Sequence, residues 1–310
     1  MNRPKPRFLP PASSEASRRT TGLPLRLSLA ASLGAALVFG GALPLATDAR
    51  AAGSTAALGL GGSARLISEG PLEQGAYLAG IELALETGWH TYWRFPGDAG
   101  IPPLFDFSGS TNLRAAEVLY PVPEREDDGY SVSAVYHGGI TLPLRVVPVN
   151  PAQPVELRIQ ATYGVCKDIC VPRDDVLELA LAPDERADKV SSLLIRRDLA
   201  GVPKPIPAEE AEGAYRLDLS EDGKSLLIGL TREGDTDVLD LFVEGPEGSF
   251  NRLPERITAP SGLAAAWSLP LRGLAKTDDG GTRLRLVLST ADGGLESLHV
   301  LEAGDLSRAP

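Results

Sequence analysis

The chain has 310 residues, with 41 acidic against 30 basic side chains, a formal charge of −11 and only 5% aromatic residues. Nucleic acid and anionic lipid both call for a basic surface, so this balance argues against either as a partner. With 26 prolines, 33 glycines and many short alternating runs, the chain reads as all-β and not as helical.

Residues 1–51 read as an export signal. Arg3, Lys5, Arg7, Arg18, Arg19 and Arg26 make a basic n-region, residues 27–46 are nearly all apolar or small, and Ala49-Arg50-Ala51 offers a cleavage site. The alternative is an uncleaved membrane anchor, since residues 27–46 are about long enough to span a bilayer. Pro44 and the small residues beside it favour cleavage. Ser17-Arg18-Arg19 hints at twin-arginine export, but Thr20-Thr21-Gly22 lacks the usual apolar position, so the route stays open. Cleavage removes 7 of the 30 basic and 2 of the 41 acidic residues, leaving 23 against 39, a charge of −16. The remaining body, about 259 residues, is enough for one large or two ordinary domains. It is expected outside the cytoplasm, where disulfides persist.

After a Gly/Ala-rich leader, residues 81–86 alternate with period two, the mark of a half-buried strand, and Thr87-Gly88 closes it. An aromatic cluster follows: Trp89-His90-Thr91-Tyr92-Trp93-Arg94-Phe95. Its structural reading is that Trp89 or Trp93 fills a sandwich core. Its functional reading is a wall beside a site. Residues 113–118 form a short strand, and residues 124–130 a charged loop. Strands resume at 132–136 and 140–149, where Pro143 and Pro148 suggest edge or bulge positions. Val155, Leu157, Ile159, Ala161 and Tyr163 then alternate with Glu156, Arg158, Gln160 and Thr162, and the run leads straight into Cys166. Leu177, Leu179 and Leu181 give the return strand. Cys166 and Cys170 therefore sit at the tip of a β-hairpin with three residues between them, where cross-strand neighbours lie near disulfide distance.

Cys166 and Cys170 are the only cysteines, and three readings of them compete. As a structural staple they are poorly placed, because closing five residues contributes about 2 kcal/mol against roughly 4.7 for a hundred-residue loop. As half of a metal site they lack partners: zinc wants about four clustered ligands, and only His90, His137 and His299 are available, none expected near another. No metal and no cofactor are expected. As a reversible dithiol/disulfide they are well placed, at a turn where a thiolate can be reached.

One helix is expected next, with Pro183 in its first turn, apolar Ala187, Val190, Leu193 and Leu194, and Gly201 and Pro203 beyond its end. From Tyr215 a second set of strands begins, separated by turns such as Asp278-Asp279-Gly280-Gly281 and Asp292-Gly293-Gly294. The expected architecture is two immunoglobulin-like β-sandwiches: a signal over 1–51, a redox sandwich over 52–183, a helical linker over 184–204 and a second sandwich over 205–310. No phosphate loop, nucleophile elbow or metal helix appears in the sequence.

At the cysteine hairpin and the loops before it, the sequence resembles the N-terminal periplasmic domain of the thiol:disulfide interchange protein DsbD, and more closely that of ScsB-like proteins. The resembling residues are Thr87-Gly88-Trp89-His90-Thr91-Tyr92-Trp93, Asp127-Asp128-Gly129-Tyr130, Ser133-Ala134-Val135-Tyr136, Ile140-Thr141-Leu142-Pro143-Leu144 and Tyr163-Gly164-Val165-Cys166 with Cys170-Val171-Pro172. The likeness covers roughly residues 55–183. It implies an immunoglobulin-like sandwich with the cysteines on adjacent strands, Cys170 exchanging with partners and Cys166 resolving. It also implies His90 and Tyr92 beside the pair, and Asp127, Asp128 and Tyr130 in a shielding cap loop; Tyr163 is a further site-adjacent candidate. Two departures stand out: the loop between the cysteines is shorter than usual, and Gly129 replaces the cap's phenylalanine, leaving Tyr130 as the lid. The sequence also shows neither the transmembrane electron conduit nor the thioredoxin-like C-x-x-C domain of the full-length family proteins.

The resemblance implies a periplasmic shuttle. Its partners would be a membrane thiol-electron transporter of the DsbD or CcdA kind, or a thioredoxin-like domain, on one side, and oxidised periplasmic thiol proteins on the other. Asp168 and the Asp127-Asp128 loop should raise the thiol pKa and Lys167 lower it, while His90 either moves protons or packs. The competing reading is a non-enzymatic binding module of two sandwiches with a structural disulfide.

Overall fold

The computed structural model describes residues 53–97, 99–231 and 237–306. The export signal expected over 1–51 lies outside them. Eleven strands run through the first half: β1 (Ala57–Gly59), β2 (Gly62–Ser68), β3 (Tyr77–Leu85), β4 (His90–Tyr92), β5 (Leu104–Asp106), β6 (Leu113–Val118), β7 (Glu124–Asp127), β8 (Val132–His137), β9 (Gly139–Pro148), β10 (Val155–Cys166) and β11 (Cys170–Leu181). They form one sheet in the order β1-β2-β3-β9-β6 and a second in the order β11-β10-β4-β8-β7, with β5 also paired to β10.

The alternation in β10 explains how the sheets close on each other. Val155, Leu157, Ile159, Ala161, Tyr163 and Val165 are buried in a core shared with Leu66, Ile81, Leu83, Leu142 and Leu144 of the facing sheet. Glu156, Arg158 and Gln160 point to solvent. The same parity sorts the aromatic cluster. Trp89 and Trp93 both enter this core, so the structural reading holds for each, and His90 and Tyr92 are left on the outer face. Strand β9 is interior and not an edge. Pro148 sits opposite a register shift in β6, and Pro143 lies beyond the last residue paired to β6, so neither costs a ladder hydrogen bond on that side.

Helix α1 (Lys189–Leu199) starts later than its sequence suggests, and it turns a different face inward. Asp188 is the N-cap and accepts from the Ser191 amide, while Pro183 belongs to the preceding turn. Val190 and Leu193 are 63% and 71% exposed, and Ile195 and Asp198 face β9. The reason is polar: the Asp198 carboxylate accepts from the Thr141 amide at 2.6 Å and pairs with Arg197. Gly80 leaves room for Ile195, whose Cγ1 would be 3.0 Å from a Cβ at that position.

The second half adds β12 (Lys204–Pro205), a helix that the sequence did not suggest, α2 (Ala208–Ala214), then β13 (Tyr215–Leu219), β14 (Ser225–Leu230), β15 (Val238–Glu244), β16 (Glu255–Ile257), β17 (Ala265–Pro270), β18 (Thr282–Thr290) and β19 (Gly293–Leu301). Two four-stranded sheets, β12-β19-β18-β15 and β13-β14-β17-β16, enclose a core around Trp267, Ile228, Leu241 and Leu286. The whole is all-β, as expected from composition.

The two halves are joined by side chains. Phe242, Leu253 and Val287 belong to the first core, and Phe242 meets Trp93 edge-on at 5.9 Å. Arg94 binds Glu244 at 2.8 Å and Glu296 at 3.0 Å, and Arg125 binds Asp240 at 2.7 Å.

Candidate functional site

Strands β10 and β11 pair without interruption from Val155 opposite Leu181 to Cys166 opposite Cys170. The hairpin therefore delivers both cysteines to its last rung, with Cα atoms 4.1 Å apart and the disulfide closed. Lys167, Asp168 and Ile169 form the tip, held by a hydrogen bond from the Lys167 amide to the Ile169 carbonyl. The two sulfurs are not equivalent in setting: Cys166 is 1% exposed, and Cys170 lies open to solvent.

The row continues across the sheet. Cys166 is opposite His90 of β4, and His90 is opposite His137 of β8. Directly opposed residues in an antiparallel sheet share a face. Cys170, Cys166, His90 and His137 thus line up on the outer face of four adjacent strands. Tyr92, two residues along β4, shares that face and packs with Val135, Cys166 and Ile101. Its hydroxyl donates to Cys166 Sγ at 3.1 Å and lies 3.4 Å from Cys170 Sγ. The ring is seated by two glycines. A Cβ at Gly100, whose φ is +106°, would lie 2.4 Å from Tyr92 Cε1, and one at Gly164 would lie 2.8 Å from Ile101 Cβ.

Burial, aided by the carboxylates of Glu126 and Asp128, pushes the Tyr92 phenol up, so it remains a hydrogen-bond donor at neutral pH. Burial also lowers the His90 imidazole, against the opposing pull of Glu126, which keeps it neutral there. His90 packs edge-on against Tyr92 at 5.4 Å. A phenol donating to sulfur stabilises a thiolate, and hydrogen bonds to charged groups contribute about 1.5–3 kcal/mol. Tyr92→Phe should accordingly slow alkylation of the reduced protein by iodoacetamide about tenfold at neutral pH, with the rate profile moved to higher pH. An unchanged profile would remove the hydroxyl from the chemistry.

The remaining expected site residues fall elsewhere. Tyr163 is on the core face of β10 and donates to Asp175 Oδ2 at 2.7 Å. One residue of offset along a strand inverts the face. Residues 124–127 are not loop but strand β7, paired with β8. Asp127 accepts from the Gly129 amide and Asp128 from the amides of Tyr130 and Ser131. These bonds, that from Ser131 first, hold the Asp128 carboxyl below its usual range. They fix a tight turn whose Tyr130 is 98% exposed. The lid expected of Tyr130 is therefore not closed: the turn borders a cleft lined by Arg252, Leu253 and Glu255 of the second half.

One residue of this face, Glu126, is not singled out in the sequence, and another, His137, reads there as isolated. Glu126 lies on the outer face, with Oε2 2.9 Å from His137 Nε2 and 3.6 Å from His90 Nδ1. The expectation that no histidine lies near another fails here, because strand pairing brings positions 90 and 137 together, with ring centroids 5.7 Å apart. Pairing is the missing signal, and nothing in the linear spacing encodes it.

Residues 64–182 match the family described as thiol:disulfide interchange protein DsbD, N-terminal. No curated protein sequence matches the chain. Among solved structures, the N-terminal periplasmic domain of ScsB from Proteus mirabilis is similar in fold, with a TM-score of 0.60 at 18% identity, over 81% of this chain and 98% of that one. The YadV chaperone and the CupB2 chaperone of Pseudomonas aeruginosa, each 10% identical over 76% of this chain and 99% of theirs, give TM-scores of 0.21 and 0.18, too low to carry an argument. No helix among the described residues is long and apolar enough to cross a membrane. With its hairpin disulfide on the last rung of β10 and β11, the segment 64–182 matches the family of DsbD N-terminal thiol:disulfide interchange domains.

Proposed function

We propose that the protein carries electrons by thiol–disulfide exchange in the periplasm through a reversible Cys166–Cys170 bond. Residues 52–183 act as the exchange sandwich, 184–204 as a linker and 205–310 as a second sandwich. The donor thiolate, from a membrane thiol-electron transporter or a thioredoxin-like domain, attacks Cys170 Sγ, and Cys166 leaves as a thiolate that accepts the Tyr92 hydrogen bond. The donor's second thiol then attacks its own sulfur in the mixed disulfide. This releases Cys170 as a thiolate and leaves the donor oxidised and the pair reduced. Passing electrons on reverses the steps: Cys170 attacks the disulfide of an oxidised periplasmic protein, and Cys166 resolves the mixed disulfide.

The observation that carries this reading is the asymmetry of the pair, an open sulfur at 170 backed by a covered, hydrogen-bonded one at 166. Titration with dithiothreitol buffers and thiol trapping tests it. A potential near the thioredoxin value of about −270 mV is expected, whereas one well below about −300 mV marks an inert structural bond. That second result would leave a two-sandwich binding module as the better account.

A further inference from the structure

We propose that His90, Glu126 and His137 form a binding site for a divalent transition-metal ion, of which zinc is the representative, on the outer face beside the disulfide. His90 Nδ1, His137 Nε2 and a Glu126 carboxylate oxygen all lie within 4.8 Å of one another. Ligands at about 2.0–2.2 Å around a tetrahedral ion stand roughly 3.3–3.5 Å apart, so rotamer adjustments of about an ångström bring the three into a first coordination shell. Two imidazoles and one carboxylate are a donor set that suits zinc and its neighbours, and three protein ligands leave one position open.

Three features set this cluster apart from an ordinary surface ion pair. Glu126 Oε2 is fully covered and makes no aligned hydrogen bond, although His137 Nε2 is only 2.9 Å away. The carboxylate and the ring nitrogens are thus close without being directed at one another as donor and acceptor. The His90 ring is fixed edge-on between Tyr92 and His137, so one ligand is held in place before any ion arrives. The His137 side chain is 44% exposed, which gives an ion a way in. Neither cysteine is needed as a ligand, so the site stands independently of the redox reading.

The test uses the full-length protein with its disulfide closed, stripped with a chelator and titrated calorimetrically with Zn²⁺, and separately with Co²⁺ followed by visible absorption. One ion per chain is expected, with the d–d bands of a low-coordinate Co²⁺ site. Loss of an outer-shell partner alone weakens metal sites 10–100-fold, so Glu126→Gln and His137→Ala should each weaken binding by at least about tenfold, and His299→Ala should leave it unchanged. Circular dichroism checks that each variant folds, and should His137→Ala misfold, Glu126→Gln decides. No uptake by the wild type at millimolar ion, or uptake equal in wild type and Glu126→Gln, overturns the site. Because the disulfide stays oxidised throughout, neither outcome bears on electron transfer.

Discussion

Cys166→Ala is expected to accumulate a persistent mixed disulfide at position 170, and Cys170→Ala to accumulate far less at position 166. The cause is access. Cys170 is on the solvent side of the last rung, while Cys166 is 1% exposed beneath Tyr92, Val135 and Ile101. Thiolate exchange needs an in-line approach of the attacking sulfur, and a buried thiol denies it. In each single variant the remaining cysteine has no intramolecular partner, since the chain contains no third one. Reaction with an aromatic disulfide reagent should therefore be about tenfold or more faster for Cys166→Ala than for Cys170→Ala, following the dependence of thiol reactivity on exposure. Equal rates would mean that the exchanging sulfur is not set by the fold, and would remove the main support for the proposed mechanism.

Arg94→Ala is expected to be the most destabilising single change at the junction of the two halves. The guanidinium is 19% exposed, binds Glu244 and Glu296, and lies 4.8 Å over the Trp93 ring and 5.5 Å over that of Tyr120. Removing it strands two carboxylates in a partly buried junction, a class of change that costs about 3–5 kcal/mol. Arg285 also reaches both carboxylates, which lowers the expected loss to roughly 2–4 kcal/mol. For a body of this size the melting temperature should fall by about 2–4 °C per kcal/mol. Arg216→Ala, at an exposed pair with Asp218, is the control and should change stability by less than about 0.5 kcal/mol. If both variants melt alike, the junction contributes little, and the two sandwiches are held by their apolar contacts alone. Because Arg94 follows Tyr92 by two residues, a loosened junction should also raise the reactivity of the reduced cysteines.

Much of the cysteine hairpin is legible without coordinates. Alternation over 155–165 assigns a face to every residue of β10, and a three-residue gap after it leaves Cys170 opposite Cys166. The same parity applied to residues 89–93 separates the core tryptophans from His90 and Tyr92. It also puts Tyr163 on the core face, against the expectation that it adjoins the cysteines. Residues 124–127 escape such reading. Glu-Arg-Glu-Asp has little β-propensity, and it is a strand because β8 offers it a pairing edge and Asp240 a partner for Arg125. Helix α1 shows the same limit, since Val190 and Leu193 face solvent while Ile195 and Asp198, which bonds the Thr141 amide, turn inward.

The amino-acid order on its own specified a β protein, the hairpin and the meeting of its two sulfurs, because period-two burial and short-loop closure are local and act along one strand pair. Which strand lies next to β10 is a long-range choice made by the packing of two sheets. That choice alone set His90 beside Cys166, His137 beside His90 and Glu126 within reach of both.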